Sequence, residues 1–123
     1  MPNLKLPSQT AKIIMGLGNP GNQYADTRHN IGKRYINFLV KQLNLSLQPT
    51  KFGHFTFYMK DRMAIVLFSS ESFMNESGRA AKFILDVTDK KKEAELVIVH
   101  DDLDSNLGVV KIKDGGSPEY KKL

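Results

Sequence analysis

The sequence has no cysteine, which excludes disulfides, thiol catalysis and thiolate-held metal and leaves stability to packing. It also has no apolar run of about 18 residues, so no segment reads as a membrane span. Its first twelve residues hold Lys5, Lys12, Pro2 and Pro7 where a secretory signal would hold an apolar stretch, and too few arginines for a transit peptide. These absences predict a soluble cytoplasmic protein, with a mitochondrial location as the alternative. No internal repeat or low-complexity tract occurs. At 123 residues and 41% hydrophobic content, the chain suits one domain with a real core.

What is present in excess is positive charge. The formal net charge is +5, with lysines grouped at Lys90, Lys91 and Lys92 and again at Lys111, Lys113, Lys121 and Lys122. Such a balance favours polyanions at long range. On charge alone, a set of solvated lysines is the plainer account.

Short apolar runs alternate with helical patterns, the mark of an α/β domain. Lys12 to Gly18 reads as a buried strand around Ile13, Ile14 and Met15, followed by a turn-rich loop to about Asn30. Ile31, Tyr35, Phe38, Leu39 and Leu43 fall at the offsets of one helix face, which predicts a helix over 31–43 capped by Asn30. Phe55 to Met59 and Met63 to Phe68 read as an antiparallel hairpin around Lys60, Asp61 and Arg62. From Ser72 a second helix is expected, with Ala80, Ala81, Ile84 and Leu85 as its apolar stripe and Gly78 as a point of close packing. Leu96 to Val99 is a continuous apolar strand, and Val109 to Lys113 alternates like an edge strand. Gly115, Gly116, Ser117 and Pro118 end it, and 119–123 has no core-forming pattern.

Gly16-Leu17-Gly18-Asn19-Pro20-Gly21 matches the spacing of a dinucleotide-binding loop, in which glycines let the backbone approach a pyrophosphate. That use needs a helix opening within the loop and an acidic residue on a second strand about 20 residues on. Here Pro20 interrupts, and the region beyond is still helical, so a tight turn is the better reading. The neighbouring residues change its weight. Asn19, Tyr24, Arg28, His29 and Asn30 crowd the segment after the first strand, where α/β sheets place ligands.

Asp101, Asp102 and Asp104 raise the question of a cation, since Asp102-x-Asp104-x-Asn106 begins like a calcium loop. The glycine required next is Leu107 and the closing acid is Lys113, so no metal site is expected. His54 and His100 read as structural, and His29 alone could be a loop or cap histidine.

The ordered motifs together carry more than any residue alone. The chain resembles the bacterial-type peptidyl-tRNA hydrolase family through Gly16 to Gly21, Tyr24, Thr27-Arg28-His29-Asn30-Ile31-Gly32, Phe73-Met74-Asn75-Glu76-Ser77-Gly78, His100-Asp101-Asp102-Leu103-Asp104, Leu107-Gly108, and Lys111, Lys113 and Gly115-Gly116-Ser117. The resemblance implies a three-layer α/β sandwich on a mixed, mostly parallel central sheet. It implies hydrolysis of the ester joining a peptide to the terminal ribose of tRNA, with no metal or organic cofactor; a monomer with no membrane partner is the expectation for the chain. By resemblance, His29 is the catalytic base and Asp101 orients it. Asn19, Tyr24, Phe73, Met74 and Asn75 meet the substrate, and Lys111 and Lys113 meet tRNA phosphate.

The chemistry asks for these residue types. An imidazole titrating near neutrality can deprotonate water, an effect on the order of 100-fold to 10,000-fold, while a carboxylate fixes its tautomer. Amide donors such as Asn75 can stabilise the charge developing on the ester oxygen. No serine sits in a nucleophile elbow, so direct attack by water is expected.

After Ser117 the family's pattern continues into a glycine-histidine-asparagine-glycine segment, whereas here Pro118 to Leu123 follows. The expected organisation is therefore an N-terminal tail over 1–11, an incomplete hydrolase-like domain over 12–117 and a divergent tail over 118–123. Impaired activity is the corresponding expectation, with a non-catalytic RNA-binding module on the same fold as the alternative.

Overall fold

The computed structural model describes residues 5–17, 31–71, 76–100 and 108–112. Its elements run β1 (Thr10–Gly16), α1 (Ile31–Gln42), β2 (Gln48–Thr50), β3 (Gly53–Lys60), β4 (Met63–Ser70), α2 (Ser77–Thr88), β5 (Glu95–His100) and β6 (Gly108–Ile112). The six strands form one sheet in the order β2-β3-β4-β1-β5-β6. β1 is parallel to β4 and to β5, while β2 with β3, β3 with β4 and β5 with β6 are antiparallel. Strands β2, β4, β1 and β5 thus point one way, and the sheet is mixed with a parallel centre.

The apolar runs take the centre because its strands are covered on both faces. Ile13, Met15, Val66, Phe68, Leu96 and Ile98 pack with Ala80 and Ile84 of α2 on one face. Leu67 packs with Ile36 and Val40 of α1 on the other, joined by Ile14 and Leu39. Successive strand residues point to opposite faces, so the two clusters are two layers of core. The path from β1 through α1 to β4 moves one way across the sheet, and the path from β4 through α2 to β5 moves back. A common crossover hand then places the helices on opposite faces.

The inward face of α1 differs from the stripe expected from sequence. Tyr35, Phe38 and Leu43 are exposed, Phe38 at 56%, and the buried residues are Ile36 and Val40. The cause is Gly32, one turn before Ile36. A Cβ there would lie 2.0 Å from the Val99 carbonyl oxygen and 2.5 Å from the Leu17 nitrogen. Only this rotation turns the residue without a side chain toward the sheet, and Ile36 and Val40 follow it inward at helical spacing. Gly78, by contrast, has nothing within 4 Å of an added Cβ, so the close packing expected of it is not found.

The expected hairpin is present, with Lys60 opposite Met63. Its two loop residues, Asp61 and Arg62, both have positive φ (52° and 71°), the sign pattern of a type I′ turn that matches strand twist. The three-residue β2 was not expected, since Gln48-Pro49-Thr50 has no strand pattern. It forms an edge by pairing with Gly53, His54 and Phe55. The Gln48 side-chain amide accepts from the Lys5 N–H at 2.7 Å and donates to the Lys5 carbonyl at 3.1 Å.

At the far end of the sheet α2 is tied down by polar contacts. The Thr10 hydroxyl donates to the Thr88 carbonyl at 2.6 Å, and buried Asp89 accepts from the Glu93 and Ala94 amides. Those bonds shape the turn into β5. Among the described residues no helix is long and apolar enough to cross a membrane.

Candidate active site

Parallel strands leave their carboxyl ends together, and in open α/β sheets that edge is where ligands bind. Here the edge consists of Gly16 ending β1 and Leu17 after it, Ser70 ending β4 and Glu71 after it, and His100 ending β5. The first turn of α1 is pressed onto it. The Leu17 N–H donates to the Val99 carbonyl at 3.0 Å, and the Lys33 N–H donates to the Leu17 carbonyl at 3.2 Å. A Cβ on Gly16 would meet the Gly32 carbonyl at 2.1 Å. Gly16, the first glycine of the loop motif, is thus required by main-chain contact with a helix.

The expected residues Asn19, Tyr24, His29, Phe73, Met74, Asn75, Asp101 and Lys113 lie outside the described residues. Lys111 is on β6, at the register position opposite Val97. In the chain, Asn19 follows the end of β1, His29 precedes α1, Phe73 to Asn75 follow the end of β4, and Asp101 follows the end of β5.

The described part of this edge holds a polar cluster that sequence reasoning missed. The Lys33 ammonium, on the first turn of α1, reaches the Glu71 Oε1 at 2.9 Å. The His54 Nδ1, on β3, lies 3.0 Å from the Glu71 Oε2. Both oxygens of one carboxylate are therefore engaged, from two different elements. The Lys33 hydrogen bond is the main cause holding Glu71 below its ordinary value of 4.5; partial burial opposes it, and the charges of Lys33 and His54 add to it.

The Glu71 main chain is fixed as well. Its N–H donates to the Phe52 carbonyl at 2.8 Å, and the Phe52 ring packs against Phe83 of α2 with centroids 5.4 Å apart. Gly53 has φ of +151°, and a Cβ there would lie 2.1 Å from the Ser69 carbonyl. Glycine is needed at that approach. Beside the cluster is a depression of about 330 Å³, lined by Lys51, His54, Glu71 and Glu76 among others. No group of three or more His, Asp or Glu able to hold a metal is found among the described residues.

Among the described residues, two helices on opposite faces of a mixed sheet with a parallel centre define a three-layer α/β sandwich. The family model described as peptidyl-tRNA hydrolase matches residues 13–122, and the chain belongs to that family. It is 40% identical over 107 residues to a peptidyl-tRNA hydrolase of Lactiplantibacillus plantarum, covering 86% of this chain and 57% of that protein. With the Pasteurella multocida peptidyl-tRNA hydrolase the identity is 44% over 107 residues, covering 85% and 55%. The crystal structure of peptidyl-tRNA hydrolase from Acinetobacter baumannii superposes with a TM-score of 0.62 at 28% identity, over 78% of this chain and 50% of that one. The chain spans about half the length of the relatives it matches.

Proposed function

We propose that the chain hydrolyses the ester bond of peptidyl-tRNA, releasing peptide and free tRNA, with His29 as base and Asp101 as the carboxylate that orients it. The observation that carries this reading is the main-chain contact of Gly32 with Val99. His29 stands three residues before Gly32 and Asp101 two after Val99. At about 3.3–3.6 Å per residue, both are within short chain reach of that contact. The family membership and the names of the relatives support the same reaction.

In this mechanism His29 takes a proton from water as the oxygen attacks the ester carbonyl. The Asn75 amide donates to the oxyanion, and Asn19 with Asn75 holds the peptide and ester region and the water. As the tetrahedral intermediate collapses, the carbon–oxygen bond to the ribose breaks and the imidazolium returns the proton to the leaving hydroxyl. Phe73 and Met74 line the peptide side and Tyr24 the adenosine or peptide side. Lys111 and Lys113 meet backbone phosphate, which makes binding weaken with salt. The place of action is the compartment where translation runs, with the cytoplasm as the first assignment, and the working unit is a monomer.

The test is turnover of peptidyl-tRNA by the purified chain and by His29→Ala. Release of tRNA that disappears in the variant supports the reading. Binding of tRNA without release, or release unaffected by the substitution, overturns it.

A further inference from the structure

We propose that Glu71 is a positioning residue that sets two substrate-side segments with one carboxylate; this rests on the hydrolase reading above. Glu71 follows the last residue of β4 and precedes Phe73 by two residues and Asn75 by four in the chain. Lys33 follows His29 by four residues and sits on the first turn of α1. The 2.9 Å bond between Lys33 and Glu71 joins the first turn of α1 to the residue after β4, although 38 residues separate the partners in the chain.

Three further restraints make the carboxylate a fixed point. His54 holds its second oxygen, the Phe52 carbonyl holds its N–H, and the absent side chain of Gly53 lets the turn before β3 close onto β4. The other charged groups at this depression are Lys51 and Glu76, and Glu76 pairs with Arg79 at 3.8 Å. The carboxylate of Glu71 is the group that α1 and β3 share. The arrangement lies at the carboxyl edge of the sheet, outside both core clusters, where it contributes to aim more than to burial.

The experiment compares Glu71→Gln, Lys33→Met, the double variant and Lys33→Arg with the full wild-type chain, well below each melting temperature. A misplacement of catalytic groups lowers kcat, so Glu71→Gln and Lys33→Met are each expected to lose about tenfold in kcat with KM changed less than about threefold. The double variant is expected to be no worse than the poorer single one, and Lys33→Arg to restore most of the rate. A kcat for Glu71→Gln within about twofold of wild type, or losses that multiply in the double variant, overturns the proposal. A readout independent of turnover is the set of amide chemical shifts of residues 29–32 and 72–75. Both single variants should move both segments. Changes confined in each variant to the substituted element overturn the proposal even if hydrolysis is seen, whereas absent wild-type hydrolysis with both segments moved refutes only the hydrolase reading.

Discussion

Gly32 of α1 and Val99 of β5 are in main-chain contact, so close that a Cβ on Gly32 would fall 2.0 Å from the Val99 carbonyl oxygen. The neighbours of that added atom are backbone, which cannot swing aside. Gly32→Ala must therefore push α1 off the sheet. Overpacking of this kind costs about 1–3 kcal/mol, and the expected result is a lower denaturation midpoint together with a loss of turnover larger than the loss of folded protein. A variant with wild-type melting and wild-type rate would contradict the contact.

The rotation of α1 gives a sharper pair of substitutions. Ile36 is fully buried and Phe38 is 56% exposed. Ile36→Ala should destabilise by about 2–5 kcal/mol, whereas Phe38→Ser should stay within about 0.5 kcal/mol of wild type. Urea denaturation of both variants measures the difference. The reverse order would restore the stripe suggested by sequence.

Sequence reading and structure part company here for a physical reason. The buried centre of the sheet was legible because Ile13 to Met15, the run before Phe68 and Leu96 to Val99 are apolar without interruption, as doubly covered strands are, while its mostly parallel pairing came from the resemblance. The facing of α1 was not, because a large exposed aromatic such as Phe38 outweighs a glycine in any hydrophobic pattern, while packing is decided by how near the backbone must come. Edge strand β2 was invisible since its pairing is made by main chain alone. Of the site, the motif residues were legible by resemblance. The cluster of Lys33, His54 and Glu71 was not, because three charged or titratable residues far apart in sequence look like ordinary surface until the fold brings them together.

Acid should expose the contribution of Glu71. Its carboxyl is held below the ordinary value of 4.5, first by the Lys33 hydrogen bond. A group lowered in the folded state adds stability that is present above its unfolded value and is lost as pH falls through its folded value. The stability gap between wild type and Glu71→Gln should therefore be present above 4.5 and close as pH drops below it. For a pair this exposed the gap is about 0.2–1 kcal/mol. A gap that widened toward low pH would contradict the ion pair.

The hairpin between β3 and β4 carries a correctable strain. Arg62 has φ of 71°, a region that costs a residue with a side chain roughly 1–2 kcal/mol and costs glycine little. Arg62→Gly is expected to raise stability by about 0.5–1 kcal/mol after the added freedom of the unfolded chain is counted. Thermal melting at constant pH measures it, and a lower midpoint would refute the type I′ geometry.

The clamp of Gln48 onto Lys5 has a meaning for how the molecule keeps to itself. An edge strand offers unpaired donors and acceptors to any passing extended chain. At β2 that offer is small. The strand has three residues, Pro49 at its middle has no N–H to give, and the amide of Gln48 is occupied on both its donor and acceptor sides by the main chain of Lys5. Gln48 therefore acts as a stopper at one margin of the sheet, and its replacement by a strand-forming residue such as valine would open a seam along which copies could stack.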